Sequence, residues 1–128
     1  MEEPPEPRTW SRPLAAGPRT SGEARWFLWQ TLNDEDLVTD TEVAVLLTSE
    51  LASNAARHGE EPIELSITID EDRLTVSVFD HGPGFDPDDD ATRAGGWGVN
   101  LLDRLATEWG VDRRDNGTEV WFQLSPDR

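Results

Sequence analysis

The residues from Glu50 to His58, Glu-Leu-Ala-Ser-Asn-Ala-Ala-Arg-His, constrain this chain more than any other stretch. They make up the second half of a helix expected from about Thr39, where Thr39-Asp40-Thr41-Glu42 has the capping-box pattern. Gly59 follows as a residue suited to a left-handed stop. At about 100° per residue, Val43, Leu46, Leu47, Glu50, Leu51, Asn54 and His58 fall within one sector. The inward stripe therefore carries a carboxylate and an amide one helical turn apart, side by side. A buried, unpaired carboxylate costs several kcal/mol or gives up its charge. Either Glu50 and Asn54 satisfy each other in a core, or the core opens there onto a ligand.

With 128 residues the chain fits a single domain, one that buries about two thirds of its unfolded surface without cross-links. The absence of cysteine excludes a disulfide framework and any thiolate metal or redox site. Net charge is −16 and all 11 basic residues are arginine, so the composition offers no basic surface for nucleic acid or an anionic membrane. Without lysine, a bound phosphate must rely on arginine, backbone N–H groups, helix termini or a metal. The opening residues are acidic and proline-rich, with no leader pattern, and no apolar run approaches the ~20 residues of a membrane span. The expected location is the cytoplasm.

Residues 1–8 read as a loosely attached tail and residues 9–125 as the folded domain. Trp10 to Leu14 is predicted as a short edge strand, with Pro13 confining it to the edge. A second capping-box pattern, Thr20-Ser21-Gly22-Glu23, predicts a helix from about Gly22 to Asn33 with Ala24, Phe27, Leu28, Thr31 and Leu32 inside. Trp26 and Trp29 fall outside that face and either cover the helix flank or form a partner or dimer surface. Period-two alternation over Ile63–Ile69 and Leu74–Val78 predicts a hairpin turning at Asp70-Glu71-Asp72. Asp86 to Gly96 lacks periodicity and reads as a loop whose aspartates are solvated, since they lack the ligand order of a calcium loop. A third helix is expected from Gly98 to Trp109, stopped by Gly110, followed by a hairpin of Val111–Arg113 and Glu119–Leu124 around Asp115-Asn116-Gly117. The order implies an α+β, two-layer sandwich with helices on one face of a mostly antiparallel sheet.

Four features then occur in a fixed order: Glu50 and Asn54, Asp80-His81-Gly82-Pro83-Gly84 at a strand end, Gly95-Gly96-Trp97-Gly98 opening a helix, and Gly117-Thr118 entering the last strand. Each alone is weak. Together they resemble the GHKL ATPase superfamily, with its Bergerat fold, and more narrowly its small bacterial branch of anti-sigma-factor serine kinases and actinobacterial ATP-binding proteins. Ser49 to Ala55 with His58-Gly59 matches that family's N box, Asp80 to Gly84 its first glycine box, Gly95 to Leu102 its second, and Gly117 to Phe122 its closing strand.

The resemblance implies ATP and Mg²⁺ as cofactors and assigns roles residue by residue. Asp80 would accept from the adenine amino group, with Gly82 and Gly84 keeping side chains clear and Thr118 completing recognition. Asn54 would give an oxygen to Mg²⁺. Gly95, Gly96, Gly98 and Val99 would bring backbone N–H groups to the phosphates, and Glu50 would be the general base. Arg57 and Arg93 are the nearest arginines for phosphate contact, while His58 and His81 read as structural. Trp97 stands where this branch more often has a small or basic residue, and either packs on the loop or covers the nucleotide. The implied activity is a serine/threonine protein kinase that phosphorylates an anti-anti-sigma (STAS-type) partner and sequesters a sigma factor, as a homodimer. The alternative is a non-catalytic regulatory ATP-binding module. A sensor histidine kinase is disfavoured at this stage because the sequence shows no helix pair carrying a phosphoacceptor histidine.

Overall fold

A computed structural model describes residues 6–37, 39–89 and 98–126 of the chain. Its elements run β1 (Arg8–Leu14), α1 (Thr20–Glu35), α2 (Thr41–His58), β2 (Ile63–Asp70), β3 (Arg73–Asp80), α3 (Val99–Leu105), β4 (Glu108–Arg114) and β5 (Gly117–Leu124). The strands form one sheet in the order β1-β2-β3-β5-β4, with every neighbouring pair antiparallel. The helices cover one face, giving the two-layer α+β sandwich expected.

Strand alternation decides which residues meet the helices. Ile63, Leu65, Ile67 and Ile69 of β2 and Leu74, Val76 and Val78 of β3 are all buried, while the intervening residues are more exposed. Against them pack Leu28 of α1, Leu47 and Leu51 of α2, Leu102 of α3 and Phe122 of β5. Each such side chain contributes about 1.5–3 kcal/mol by leaving water. β1 lies at the sheet edge with Pro13, as predicted, but begins at Arg8, two residues before Trp10.

Both predicted capping boxes change on inspection. Thr20 is the first residue of α1 rather than its cap, because its buried hydroxyl donates to the carbonyls of Ala15 and Gly17 and closes the preceding turn. In α2 the cap is Asp40, whose Oδ1 accepts from the Val43 N–H at 3.2 Å. Gly59 ends α2 with extended backbone, φ −93° and ψ −166°, so the left-handed stop expected there is absent.

The third helix is shorter than its periodicity predicts. It stops at Leu105, and Thr107 N–H then donates to the Gln123 carbonyl at 2.8 Å, drawing the chain into the sheet. Trp109 and Val111 are partly buried from β4, opposite Phe122 and Val120, so the last predicted helical position is a strand position. Gly110 pairs with Trp121, and a Cβ on it would lie 2.8 Å from the indole ring. The glycine read as a helix stop is therefore the place where an indole crosses β4.

Candidate functional site

β3 ends on Asp80, which is only 6% exposed. Its Oδ1 accepts from the Gly82 N–H at 2.7 Å and, more weakly, from the Glu60 N–H at 3.4 Å. The sheet register sets Thr118 of β5 opposite Asp80, and the Thr118 hydroxyl donates to the Gly82 carbonyl at 3.0 Å. The His81 N–H in turn donates to the Glu60 carbonyl at 2.9 Å. The carboxylate is thus held by the turn after α2 and by its own loop, and the facing strand anchors that loop. Gly59 makes this possible, because a Cβ there would overlap the Asp80 carboxyl group. Among the described residues, no donor reaches the second oxygen, Oδ2.

Asp80, Thr118, Gly84 and Gly59 line a narrow cleft of about 10 Å³ that opens to solvent. From α2 come Leu51, Asn54, Ala55 and His58, and the apolar walls are completed by Val78, Phe85 and Val120. Asn54 is 3% exposed and Thr118 1%. Apolar walls with a few convergent polar groups are the usual make-up of a small-molecule site.

Glu50 lies one turn before Asn54, half-buried, and does not line this cleft. It sits instead against the start of α3. Gly98, the N-cap of α3, has φ +74°, and a Cβ on it would stand 2.8 Å from a Glu50 carboxylate oxygen. Only glycine combines that left-handed backbone with so close an approach. Val99 turns its side chain into the core, 2% exposed, leaving only its backbone for a ligand.

The structure therefore brings together Asn54, Asp80, Gly84 and Thr118 at one cleft, with Gly82 directly behind Asp80 and Glu50 beside Gly98. Gly95, Gly96, Arg93 and Trp97 lie outside the described residues. His58 lines the cleft; its pKa is lowered from 6.5, first by burial and then by the neighbouring Arg57 charge. His81 is held by its ring nitrogen Nδ1 on the Pro62 carbonyl at 2.9 Å. Sequence reasoning missed the contact of Gly59 with Asp80, although its position next to His58 marked it, and missed Phe85 as a wall. Nothing in the sequence pointed to the Glu60 N–H as a donor.

Residues 14–124 match the histidine kinase-like ATPase domain. The chain belongs to that family, and its domain is an ATP-binding, kinase-like one of the GHKL type. It is 37% identical over 59 residues to Sensor protein CseC of Streptomyces coelicolor, a match covering 46% of this chain and 11% of that protein. The Streptomyces avermitilis Sensor protein CseC is 39% identical over 56 residues, again across 11% of its length. The chain thus spans about a tenth of these curated relatives. In fold it is similar to the RsbU and RsbW domains of Rv1364c from Mycobacterium tuberculosis, with TM-score 0.70 and 20% identity over 91% of this chain and 32% of that one. It is also similar to the histidine kinase domain of the Erythrobacter litoralis EL346 blue-light activated histidine kinase, with TM-score 0.52 and 28% identity over 66% and 43% of the two chains. No helix among the described residues is long and apolar enough to cross a membrane.

Proposed function

We propose that this chain is a Mg-ATP-dependent serine/threonine protein kinase of the anti-sigma type, which phosphorylates a STAS-type anti-anti-sigma partner and holds a sigma factor in the cytoplasm. The observation that carries the nucleotide reading is Asp80. One carboxylate oxygen is fixed by backbone N–H groups, and the other oxygen of this 6%-exposed residue has no donor among the described residues. An adenine amino group is a donor of the kind that oxygen lacks.

In this reading Asp80 accepts from the base, Gly82 and Gly84 leave it room, and Thr118 fixes the loop behind it. Asn54 offers an oxygen toward Mg²⁺. Among the described residues no group of three or more His, Cys, Asp or Glu side chains is placed to hold a metal. An ion held with Asn54 would supply charge neutralisation to the phosphates. Glu50, held beside Gly98, takes the proton of the attacking hydroxyl, and Gly95, Gly96, Gly98 and Val99 offer backbone N–H groups. The fold likeness to the RsbU and RsbW domains over 91% of the chain supports the anti-sigma reading.

A second reading is the ATP-binding part of a sensor kinase, favoured by the 37% identity to a sensor protein. The two differ in product: phosphoserine survives acid, phosphohistidine does not. A non-catalytic module would bind ATP and transfer nothing.

The test is calorimetric titration of ATP with and without Mg²⁺, beside Asp80→Asn. The Gly82 N–H keeps an oxygen at the Oδ1 position, so asparagine must present its NH₂ where Oδ2 stood. The expected loss is about 1.5–3 kcal/mol, about ten- to a hundredfold in affinity, with the fold retained. Equal binding by the two proteins would remove Asp80 from nucleotide recognition.

A further inference from the structure

The arginines of this chain are unevenly placed. Residues 8–27 contain Arg8, Arg12, Arg19 and Arg25 against one carboxylate, Glu23, a balance of +3. The other seven arginines face 26 carboxylates, a balance of −19, which gives the total of −16. Residues 8–27, spanning β1 and the first half of α1, thus carry a net positive charge in a strongly acidic chain, with Glu35 and Glu61 packed against them.

Two of these arginines are already committed. Arg8 pairs with Glu35, and Arg25 donates to the Ser49 hydroxyl at 2.9 Å. Arg12 and Arg19 have no carboxylate partner among the described residues. Arg12 instead reaches from β1 across α1, with its guanidinium carbon 5.8 Å from the Trp26 ring centre and 5.7 Å from that of Phe27. Held near two rings, a guanidinium has less freedom to lose on binding a carboxylate. Arg12, Arg19, Gly22, Glu23 and Trp26 line an open groove of about 330 Å³. Trp26 is 53% exposed, among the most exposed large apolar side chains of the described residues.

We infer that this groove is a docking site for an acidic segment of a protein partner, whose carboxylates meet Arg12 and Arg19 and whose apolar side chain covers Trp26. Charge complementarity selects the occupant. At physiological salt the screening length is about 8 Å, so a short acidic segment in the groove senses the local arginines rather than the total charge. An extended polyanion, whether nucleic acid or anionic bilayer, reaches beyond the groove and meets a chain whose other residues sum to −19. Arginine and tryptophan are also the residues in which interface binding energy concentrates. None of the groove residues lines the cleft at Asp80, so the site goes beyond the nucleotide reading and is tested without ATP.

The probe is a short synthetic peptide of alternating glutamate and leucine, titrated into the whole chain and followed by calorimetry and by the Trp26 indole N–H resonance. The expected result is saturable, salt-sensitive binding that shifts this resonance, while a lysine-for-glutamate peptide leaves it in place. Arg19→Glu, which disturbs no packed ring, should weaken binding by at least about tenfold with an unchanged melting temperature, and Arg12→Glu should weaken binding as much. No binding of the acidic peptide, or equal binding by Arg19→Glu, overturns the proposal. Self-association that disappears in Arg19→Glu would assign the groove to a second copy and overturn it equally.

Discussion

Gly59 and Asp80, at the ends of α2 and β3, approach so closely that one methyl group on the glycine would occupy the space of the carboxylate. The contact explains a glycine with extended backbone, which asks for no special dihedral angle but has no room for a side chain. Gly59→Ala should push the Asp80 carboxylate off the Gly82 N–H. We expect a stability loss of about 1–3 kcal/mol by denaturant unfolding, together with loss of ATP binding by calorimetry. An alanine variant that binds ATP as the parent does would show that the carboxylate position is unimportant.

In the proposed function Glu50 moves a proton rather than holding nucleotide. Glu50→Gln keeps the shape that fits against Gly98 and removes the proton acceptor. Phosphoryl transfer or ATP hydrolysis should fall by about a hundredfold or more, with ATP affinity within about twofold of the parent. A parallel fall in affinity would instead make Glu50 a binding residue.

His58 should titrate below 6.5, because partial burial and the Arg57 charge both oppose its protonation. The sign follows from proton counting. Below 6.5 the unfolded chain takes up this proton before the folded one, so the His58 contribution to stability is intact above 6.5 and declines as pH falls through the lowered folded value. The exposed position makes the effect small. A ring-proton NMR titration checks it directly, and a midpoint at or above 6.5 would contradict the electrostatic account.

Gly110→Ala should force the Trp121 indole off β4. Denaturant unfolding should report a loss of about 1–3 kcal/mol, since the new Cβ meets ring atoms rather than a flexible chain end. The Asp80 cleft lies elsewhere, so ATP affinity per folded molecule should be unchanged.

The parts of this fold legible in the sequence are those where one periodicity dominates. The α2 stripe and the β2–β3 alternation each have a single reading, and the sheet they build places Asp80 opposite Thr118. The end of α3 was not legible, because Leu102, Leu105 and Trp109 satisfy a helical spacing while Trp109 and Val111 satisfy a strand. Pairing with β5 decides between them, and that is a long-range contact absent from any local window. Thr20 and Gly59 were misread for the same reason: capping grammar describes a helix end in isolation, whereas their partners belong to other segments. The arginine excess over residues 8–27 is legible in the sequence, but the net charge of −16 averages it away.

The Asp80 clasp draws on the turn after α2, the loop after β3 and the first residues of β5, so it spans nearly half the chain in sequence. It follows that this pocket has no local, independently folding version. Peeling β5 from β3 removes Thr118 and with it the anchor of the loop at Gly82. A small molecule lodged at Asp80 would consequently act as a rivet for the sheet, and its occupancy would be readable in the slowed hydrogen exchange of β5 amides remote from the pocket.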